Sequence, residues 1–99
     1  MDTTASSQPG DCLVVDVRSP GEFETGHVDG AINLPLDRLS ADCTQALPDK
    51  SQPLVLCCLS GARSGMAAQW LRQQGYQQVL NGGSVGSVSL QLQRPIRRG

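Results

Sequence analysis

The chain has 99 residues, with 8 Lys or Arg against 9 Asp or Glu and a formal net charge of −1. This near-neutral balance excludes the strongly basic surface typical of nucleic-acid-binding domains, and no apolar run approaches the roughly 20 residues that a membrane-spanning helix needs. The length allows one domain with a single core, which must be aliphatic because only three residues are aromatic.

The polar opening of the chain and its basic end flank the predicted domain. Residues 1–10 lack the basic start and apolar centre of a signal peptide, and they predict a flexible arm. We therefore expect a cytoplasmic protein, or a periplasmic one if a signal peptide has been removed. The domain itself is expected to cover residues 11–93, and a loose basic tail is expected at residues 94–99.

The first elements alternate between strand and helix. The β-branched run Cys12–Val17 predicts a buried strand. It is followed by Ser19-Pro20-Gly21-Glu22, a capping box with proline at the first helical position, which predicts a short helix that ends at Gly26. Residues 31–34 predict a second strand, which Pro35 stops.

The alternation continues through the rest of the chain. Residues 54–57 form the most apolar strand, so we expect it at the centre of the sheet. The other predicted elements are a helical turn at 36–39, a helix capped by Ser40 and ending at Leu47, a helix over 64–74 stopped by Gly75, a strand over 77–80 broken by Asn81-Gly82-Gly83, and a weak helix over 87–93 anchored by Leu90. This order predicts an α/β fold, a four- to five-stranded parallel sheet with helices on both faces.

The segment from Cys58 to Ser64 is the strongest functional signal. It follows the apolar strand, and ligands of parallel sheets bind beyond the carboxyl ends of the strands. Gly61 permits a tight turn in which backbone N–H groups converge at the start of a helix, where the dipole favours an anion. Arg63 adds a permanent positive charge. Together these features can lower the pKa of the Cys58 thiol from roughly 8.5 into the range of about 3.5–7.5.

Charge is unevenly distributed along the chain. All nine acidic residues lie at or before Asp49, so residues 1–50 have a net charge of −6 and residues 51–99 a net charge of +5. The half that holds the Cys58 loop contains no carboxylate, which suits a site for small anions.

Three segments together resemble a known family. Residues 58–64, Cys-Leu-Ser-Gly-Ala-Arg-Ser, resemble the six-residue active loop of single-domain rhodaneses and the start of the helix that follows it. Residues 16–35, from Asp-Val-Arg-Ser-Pro to Gly-His-Val-Asp-Gly-Ala-Ile-Asn-Leu-Pro, are the second match, and residues 75–83 are the third. The chain departs from the family at residues 84–88, where a bulky aromatic residue is expected after the glycine pair.

The resemblance implies a rhodanese-like fold and thiosulfate sulfurtransferase activity. Sulfane sulfur would pass from a donor such as thiosulfate to cyanide or a thiol through a Cys58 persulfide, with no cofactor and no metal. The loop would hold the persulfide with its backbone N–H groups, while Arg63 orients the anionic donor. The anion-binding residues are then Leu59, Ser60, Gly61, Ala62, Arg63 and Ser64.

Four further positions match family segments that are mainly structural. Asp16 and Arg18 are expected to form a buried ion pair or loop tie that includes Glu22, and His27 is interpreted as structural support rather than as a general base. The expected partners are small sulfur-containing anions and a thiol or protein sulfur acceptor. We expect a monomer that binds neither nucleic acid nor membranes.

The cysteines leave other interpretations open. Counting from Cys58 to Arg63 gives the rhodanese spacing Cys-x4-Arg, whereas Cys57 gives Cys-x5-Arg, the loop length of related cysteine phosphatases. The position of Gly61, three residues after Cys58, favours Cys58, as does Leu56 in place of a histidine before Cys57. A redox role for the adjacent pair is a minor hypothesis, because a disulfide between neighbours strains the backbone. A non-enzymatic persulfide carrier or regulatory module is the alternative function.

The two remaining cysteines are interpreted as small apolar residues. The chain contains one histidine and no Cys-x-x-Cys pair. This composition argues against a zinc site. Cys12 and Cys43 therefore belong to the predicted core rather than to a metal centre.

Overall fold

Strands and helices alternate along most of the chain. The computed structural model describes residues 12–99, and the arm expected at residues 1–10 lies outside them. In chain order the elements are β1 (Leu13–Asp16), α1 (Pro20–Thr25), β2 (His27–Val28), β3 (Ile32–Asn33), a 3-10 turn (Leu36–Arg38), α2 (Leu39–Ala46), β4 (Leu54–Cys58), α3 (Ala62–Gln73), β5 (Val79–Ser84), α4 (Val85–Leu92) and β6 (Ile96–Arg97).

The central sheet has four strands in the order β3-β1-β4-β5. All three pairings are parallel, which confirms the predicted parallel sheet. Strand β4 is one of the two inner strands, and all five of its residues are buried. The carboxyl ends of β1 and β4 therefore lie side by side, with Asp16 opposite Cys57.

The sheet is covered on both faces, as predicted. One face packs against α2 and α3, in a layer that includes Val15, Leu56, Cys58, Ala67 and Leu71. The other face packs against β2 and α4, in a layer formed by Val14, Val28, Val55, Cys57 and Val88. Successive residues of a strand point to opposite faces. Cys57 and Cys58 therefore lie in different halves of the core.

The other two cysteines occupy apolar positions. Cys43 is buried in the layer between the sheet and α2, and Cys12 packs half-buried against the opposite layer. Both therefore contribute to the core as the sequence predicts.

The starts of the first two helices differ in how they are capped. Helix α1 begins with the predicted capping box, because the Ser19 hydroxyl accepts from the Glu22 N–H and the Glu22 carboxylate accepts from the Ser19 N–H. The prediction that Ser40 caps α2 is wrong. Helix α2 begins at Leu39, directly after the 3-10 turn, and the Leu39 N–H donates to the Leu36 carbonyl. The turn satisfies that N–H group, so the helix start needs no side-chain cap.

Strand β5 does not stop at the glycine pair. It runs through Asn81, Gly82 and Gly83, with a register shift that pairs Leu56 with Asn81 and Cys57 with Gly83. An added Cβ at Gly82 would lie 2.5 Å from a Val88 methyl carbon, so only glycine fits this irregular position. The glycines therefore permit a bulge within the strand rather than ending it.

Helix α4 begins earlier than predicted and buries a different residue. The Ser84 hydroxyl accepts from the Ser87 N–H at its start. Val88 is fully buried, whereas Leu90, the predicted anchor, is 81% exposed. Val85, Val88 and Leu92 share the apolar face, which follows helical spacing, and Leu90 falls outside it.

The expected loose tail is instead paired. Strand β6 pairs with β2 in antiparallel register, His27 opposite Arg97, and the Arg97 guanidinium donates to the Asp29 carboxylate at 3.1 Å. The Gly99 N–H also donates to the Glu24 carbonyl. Within residues 12–99, no helix has the length and hydropathy needed to cross a membrane.

Candidate active site

The Cys58 loop connects two rigid elements at the carboxyl edge of the sheet. Cys58 is the last residue of β4, and α3 begins four residues later at Ala62. Gly61 takes a left-handed conformation with φ of +98°, and an added Cβ would lie 3.3 Å from the Gly83 backbone. Glycine therefore suits this position through both its conformation and its small size.

Asn81 joins the loop to the neighbouring strand β5. Its side-chain amide donates to the Gly61 carbonyl at 3.0 Å, and its carbonyl oxygen accepts from the Ser64 hydroxyl at 2.6 Å. The same oxygen accepts from the Gly83 N–H at 3.1 Å. The sequence pattern presents Asn81 only as the start of a break after the strand predicted over 77–80. Its polar side chain beside a glycine pair was the one local signal of this role.

The Cys58 sulfur lies inside a ring of hydrogen-bond donors. The Gly61 N–H lies 3.0 Å from the sulfur, the Ser64 N–H 3.4 Å and the Ser64 hydroxyl 3.5 Å. Burial by itself raises the pKa of a thiol, but the hydrogen bonds from Ser64, Gly61 and Ser60 outweigh it and lower the pKa of Cys58 to about 7. A large fraction of the side chain is therefore thiolate at neutral pH.

The remaining loop residues contribute in other ways. The Ala62 N–H donates to the Ser60 hydroxyl at 3.4 Å rather than to the sulfur. The Leu59 side chain is 66% exposed, so this residue presents an apolar group to solvent directly beside Cys58. Cys58 as a residue is only 1% exposed, so a donor must reach its sulfur past the rim of the loop.

Cys57 has the opposite environment. It is completely buried on the far face of the sheet, among Val14, Val55 and Val88. Burial, reinforced by the negative charge of Asp16, raises the pKa of Cys57 to about 12. This thiol is neutral at physiological pH and does not face the loop, so the geometry favours Cys58 as the nucleophile.

Arg63 is held by Glu22 at the rim of the loop. Its two terminal nitrogens donate to the two carboxylate oxygens of Glu22 at 2.8 and 3.0 Å. The Ser19 N–H and hydroxyl also donate to Glu22, each at 3.0 Å. These contacts lower the pKa of Glu22 to about 2, and the hydrogen bonds from Arg63 have the largest effect. The expected tie between Glu22 and the Asp16–Arg18 pair is therefore replaced by a bidentate ion pair with Arg63.

Asp16 and Arg18 form a separate, buried ion pair. The Arg18 guanidinium donates to both carboxylate oxygens of Asp16, the shortest distance being 2.7 Å, and to the Gly26 carbonyl at 2.6 Å. The Asn33 amide donates to the backbone carbonyls of Asp16 and Arg18. This network connects the end of β1 to the end of α1 and to β3.

His27 lies in β2 and packs on α1. Its ring stacks on Phe23 with centroids 3.8 Å apart, and its Nδ1 lies 3.0 Å from the Phe23 carbonyl oxygen. These contacts hold His27 against α1, and its role as structural support stays a prediction.

A cavity of about 420 Å³ adjoins the loop. Its lining residues are Val17, Ser19, Pro35, Leu36, Asp37 and Arg63. Val17 and Leu36 belong to the same carboxyl edge of the sheet, because the Leu36 N–H donates to the Val17 carbonyl. The cavity therefore provides space for a small molecule beside the active loop.

Three other arginines of the second half of the chain donate to partners away from the site. Arg72 donates to the Val79 carbonyl, Arg94 to the Cys12 carbonyl and Arg97 to Asp29. Cys12 immediately precedes β1, at the opposite end of the sheet from Cys58. Of these four arginines, Arg63 is the one that lies at the site, so the positive charge there is lower than the sequence predicts.

Comparison with known proteins agrees with this architecture. The Rhodanese-like domain family matches residues 3–88. The chain belongs to the rhodanese family. Thiosulfate sulfurtransferase PspE of Escherichia coli K12 is a rhodanese relative that is 36% identical over 76 residues, covering 77% of this chain and 73% of PspE.

A second relative and a solved structure extend the comparison. Thiosulfate sulfurtransferase GlpE of Shewanella oneidensis is 43% identical over 72 residues, covering 71% of this chain and 69% of GlpE. A structure described as rhodanese with anions from E. coli superposes with a TM-score of 0.79 at 33% identity, covering 88% of this chain and 98% of that one. A further relative, tRNA uridine(34) hydroxylase of Erwinia tasmaniensis, is 32% identical over 81 residues, covering 76% of this chain and 23% of that protein. The comparisons therefore establish the family and the fold, whereas the reaction of this chain depends on the residues of its own site.

Proposed function

We propose that the protein is a thiosulfate sulfurtransferase that carries sulfane sulfur on Cys58. One observation carries the proposal: the Cys58 sulfur accepts hydrogen bonds from Gly61 and Ser64 at 3.0–3.5 Å, and its pKa is about 7. The nucleophilic form of a cysteine is the thiolate. The donor ring thus stabilises the reactive form at neutral pH, without a neighbouring general base.

The first half-reaction loads the cysteine. The Cys58 thiolate forms a bond to the outer sulfur of thiosulfate, the bond between the two sulfur atoms of thiosulfate breaks, and sulfite leaves with the electron pair. The product is an anionic Cys58 persulfide. The N–H groups that hold the thiolate also stabilise this new anion, because they converge on the same point of the loop.

The second half-reaction regenerates the thiolate. The carbon atom of cyanide, or the sulfur of an acceptor thiolate, bonds to the outer sulfur of the persulfide, and Cys58 departs with the electrons of the broken bond. Cyanide yields thiocyanate, whereas a thiolate yields a new persulfide. The exposed Leu59 beside the site offers an apolar contact for an acceptor. Small sulfur-containing anions and thiols, free or on a protein, are therefore the proposed partners of a monomeric enzyme.

Mass spectrometry of the intact protein tests this function. Treatment with thiosulfate is expected to add about 32 Da, one sulfur atom, which a reducing thiol removes. Cys58→Ala should abolish the added mass and the turnover of thiosulfate with cyanide. The matched variant Cys57→Ala should retain both, because Cys57 lies on the other face of the sheet.

Two outcomes would contradict the proposal. Sulfur found on Cys57, or activity lost only in Cys57→Ala, would reverse the assignment of the nucleophile. A protein that gains the sulfur but does not turn over with cyanide or thiols would be a persulfide carrier rather than an enzyme.

A further inference from the structure

The charges around the cavity do not favour a doubly charged donor. Among the lining residues within 12–99, Arg63 alone is cationic, and both terminal nitrogens of its guanidinium donate to Glu22. Asp37, which also lines the cavity, adds a negative charge. Arg38, the next residue, directs its guanidinium to Asp42 at 3.3 Å and so does not offset Asp37.

Glu22 is fixed in this arrangement. Its carboxylate accepts hydrogen bonds from the Ser19 N–H, the Ser19 hydroxyl and both terminal nitrogens of Arg63. A donor that uses the charge of Arg63 must therefore compete with a carboxylate that four donors hold in place. The competition is hardest for thiosulfate, because each of its two charges is also repelled by Glu22 and Asp37.

The rest of the cavity wall is largely apolar. Val17, Pro35 and Leu36 supply half of its lining residues. Such a wall can accommodate a carbon substituent, which thiosulfate does not have. The apolar lining and the charge of the cavity therefore favour the same kind of donor, one with a single negative charge and a carbon substituent.

We propose that Glu22, assisted by Asp37, is a specificity-determining residue that favours sulfane-sulfur donors with a single negative charge and an organic substituent over thiosulfate. Organic thiosulfonates and persulfides are the donor class that fits. This inference rests on the proposed sulfur transfer at Cys58. The chemistry is the same for each donor: the thiolate bonds to the terminal sulfur, and a sulfinate or a thiolate leaves in place of sulfite.

The test compares thiosulfate, with two charges, and methanethiosulfonate, with one, in the wild type and in Glu22→Gln. Glutamine also fits the third helical position of a capping box, so the start of α1 is preserved. We expect the variant to raise kcat/KM for thiosulfate about five- to tenfold, the scale of one partly exposed charge pair acting on a dianion. The gain for methanethiosulfonate should be about two- to threefold, because the donor carries half the charge.

Two controls separate the charge effect from a structural one. Glu24→Gln removes a carboxylate from the same helix, at an exposed position that does not contact Arg63, and should leave both values unchanged. Added salt should raise the ratio of thiosulfate to methanethiosulfonate activity in the wild type more than in Glu22→Gln, since screening weakens the repulsion. Benzenethiosulfonate should react with the wild type at least as well as methanethiosulfonate, because the apolar wall accommodates its ring.

The outcomes distinguish this inference from the proposed function. If every donor loads sulfur on Cys58 but Glu22→Gln lowers all kcat/KM values equally, Glu22 only orders the loop, and the specificity role is refuted while the function stands. An unchanged ratio refutes it in the same way. If benzenethiosulfonate fails where methanethiosulfonate reacts, the cavity does not hold the substituent. If no donor adds sulfur to the wild type, both proposals fall.

Discussion

Replacing Ser64 by alanine removes one hydrogen-bond donor from the Cys58 sulfur and leaves the backbone donors in place. The Ser64 hydroxyl has a single hydrogen, which it shares between the Asn81 oxygen at 2.6 Å and the Cys58 sulfur at 3.5 Å. The Asn81 oxygen keeps its second partner, the Gly83 N–H, after the substitution. Ser64→Ala therefore weakens the hydrogen bonding of the Cys58 sulfur without leaving a buried acceptor unsatisfied.

The size of the effect follows from the strength of such a bond. A hydrogen bond to a charged group contributes about 1.5–3 kcal/mol, which corresponds to roughly 1–2 pKa units. The 3.5 Å contact with sulfur belongs at the weak end of this range. Because the Ser64 hydrogen is shared with Asn81, we expect the pKa of Cys58 to rise from about 7 by at most about one unit in the variant.

The rate of alkylation by iodoacetamide between pH 5 and 10 reports this pKa. At pH 7 the thiolate fraction should fall from about one half to about one tenth, but a thiolate of higher pKa is also more nucleophilic, by roughly threefold per unit. For a shift of one full unit, the two changes partly offset each other near neutrality and leave only about a twofold decrease in rate. The quantity to compare is therefore the midpoint of the pH profile. Fragment ions that separate Cys57 from Cys58 assign the label to one sulfur.

The matched control is Ser60→Ala, another serine of the same loop. The Ser60 side chain accepts from the Ala62 N–H and does not contact the sulfur, while the Ser60 backbone is unchanged by the substitution. Its midpoint should stay near the wild-type value. The reasoning fails if Ser64→Ala leaves the midpoint unmoved, or if both variants shift it equally.

Two further predictions concern stability and are measured by urea denaturation. Gly82→Ala should lower the free energy of unfolding by about 1–3 kcal/mol, because its methyl group would meet Val88 at 2.5 Å and Val55 at 2.8 Å; an unchanged midpoint would mean that the bulge adapts freely. Val88→Ala should cost about 2 kcal/mol, since Val88 is fully buried, whereas Leu90→Ala should cost less than about 0.5 kcal/mol at 81% exposure. Equal losses would contradict the assigned face of α4.

The elements that sequence patterns predict well are those specified by neighbouring residues. The capping box at Ser19 and Glu22 needs only four consecutive residues, and it is present as predicted. The loop from Cys58 to Ser64 is equally local, since its strand, its glycine and its helix start follow one another directly. Short-range chemistry of this kind can be inferred from spacing alone.

The features that sequence patterns miss depend on distant residues. Glu22 and Arg63 are 41 positions apart, and only the sheet brings α1 beside the active loop. Strand β5 continues through Gly82 because β4 tolerates a register shift, which a glycine-rich pattern read by itself presents as a break. The C-terminal strand β6 likewise exists only because β2 offers it an edge.

The properties of the adjacent cysteines depend both on local spacing and on contacts with distant residues. In a sheet covered on both faces, Cys57 and Cys58 are each buried, so hydrophobicity cannot decide which one reacts. The difference in reactivity comes from the face of the sheet on which each cysteine lies. Cys58 faces the N-terminal turn of α3 and its N–H groups, whereas Cys57 packs among valines close to the charge of Asp16. Their pKa values of about 7 and about 12 mean that at pH 7 about half of the Cys58 thiol is ionised, against about one part in 10⁵ for Cys57. One step along the strand thus separates a largely ionised thiol from a neutral core thiol, which favours counting the loop from Cys58.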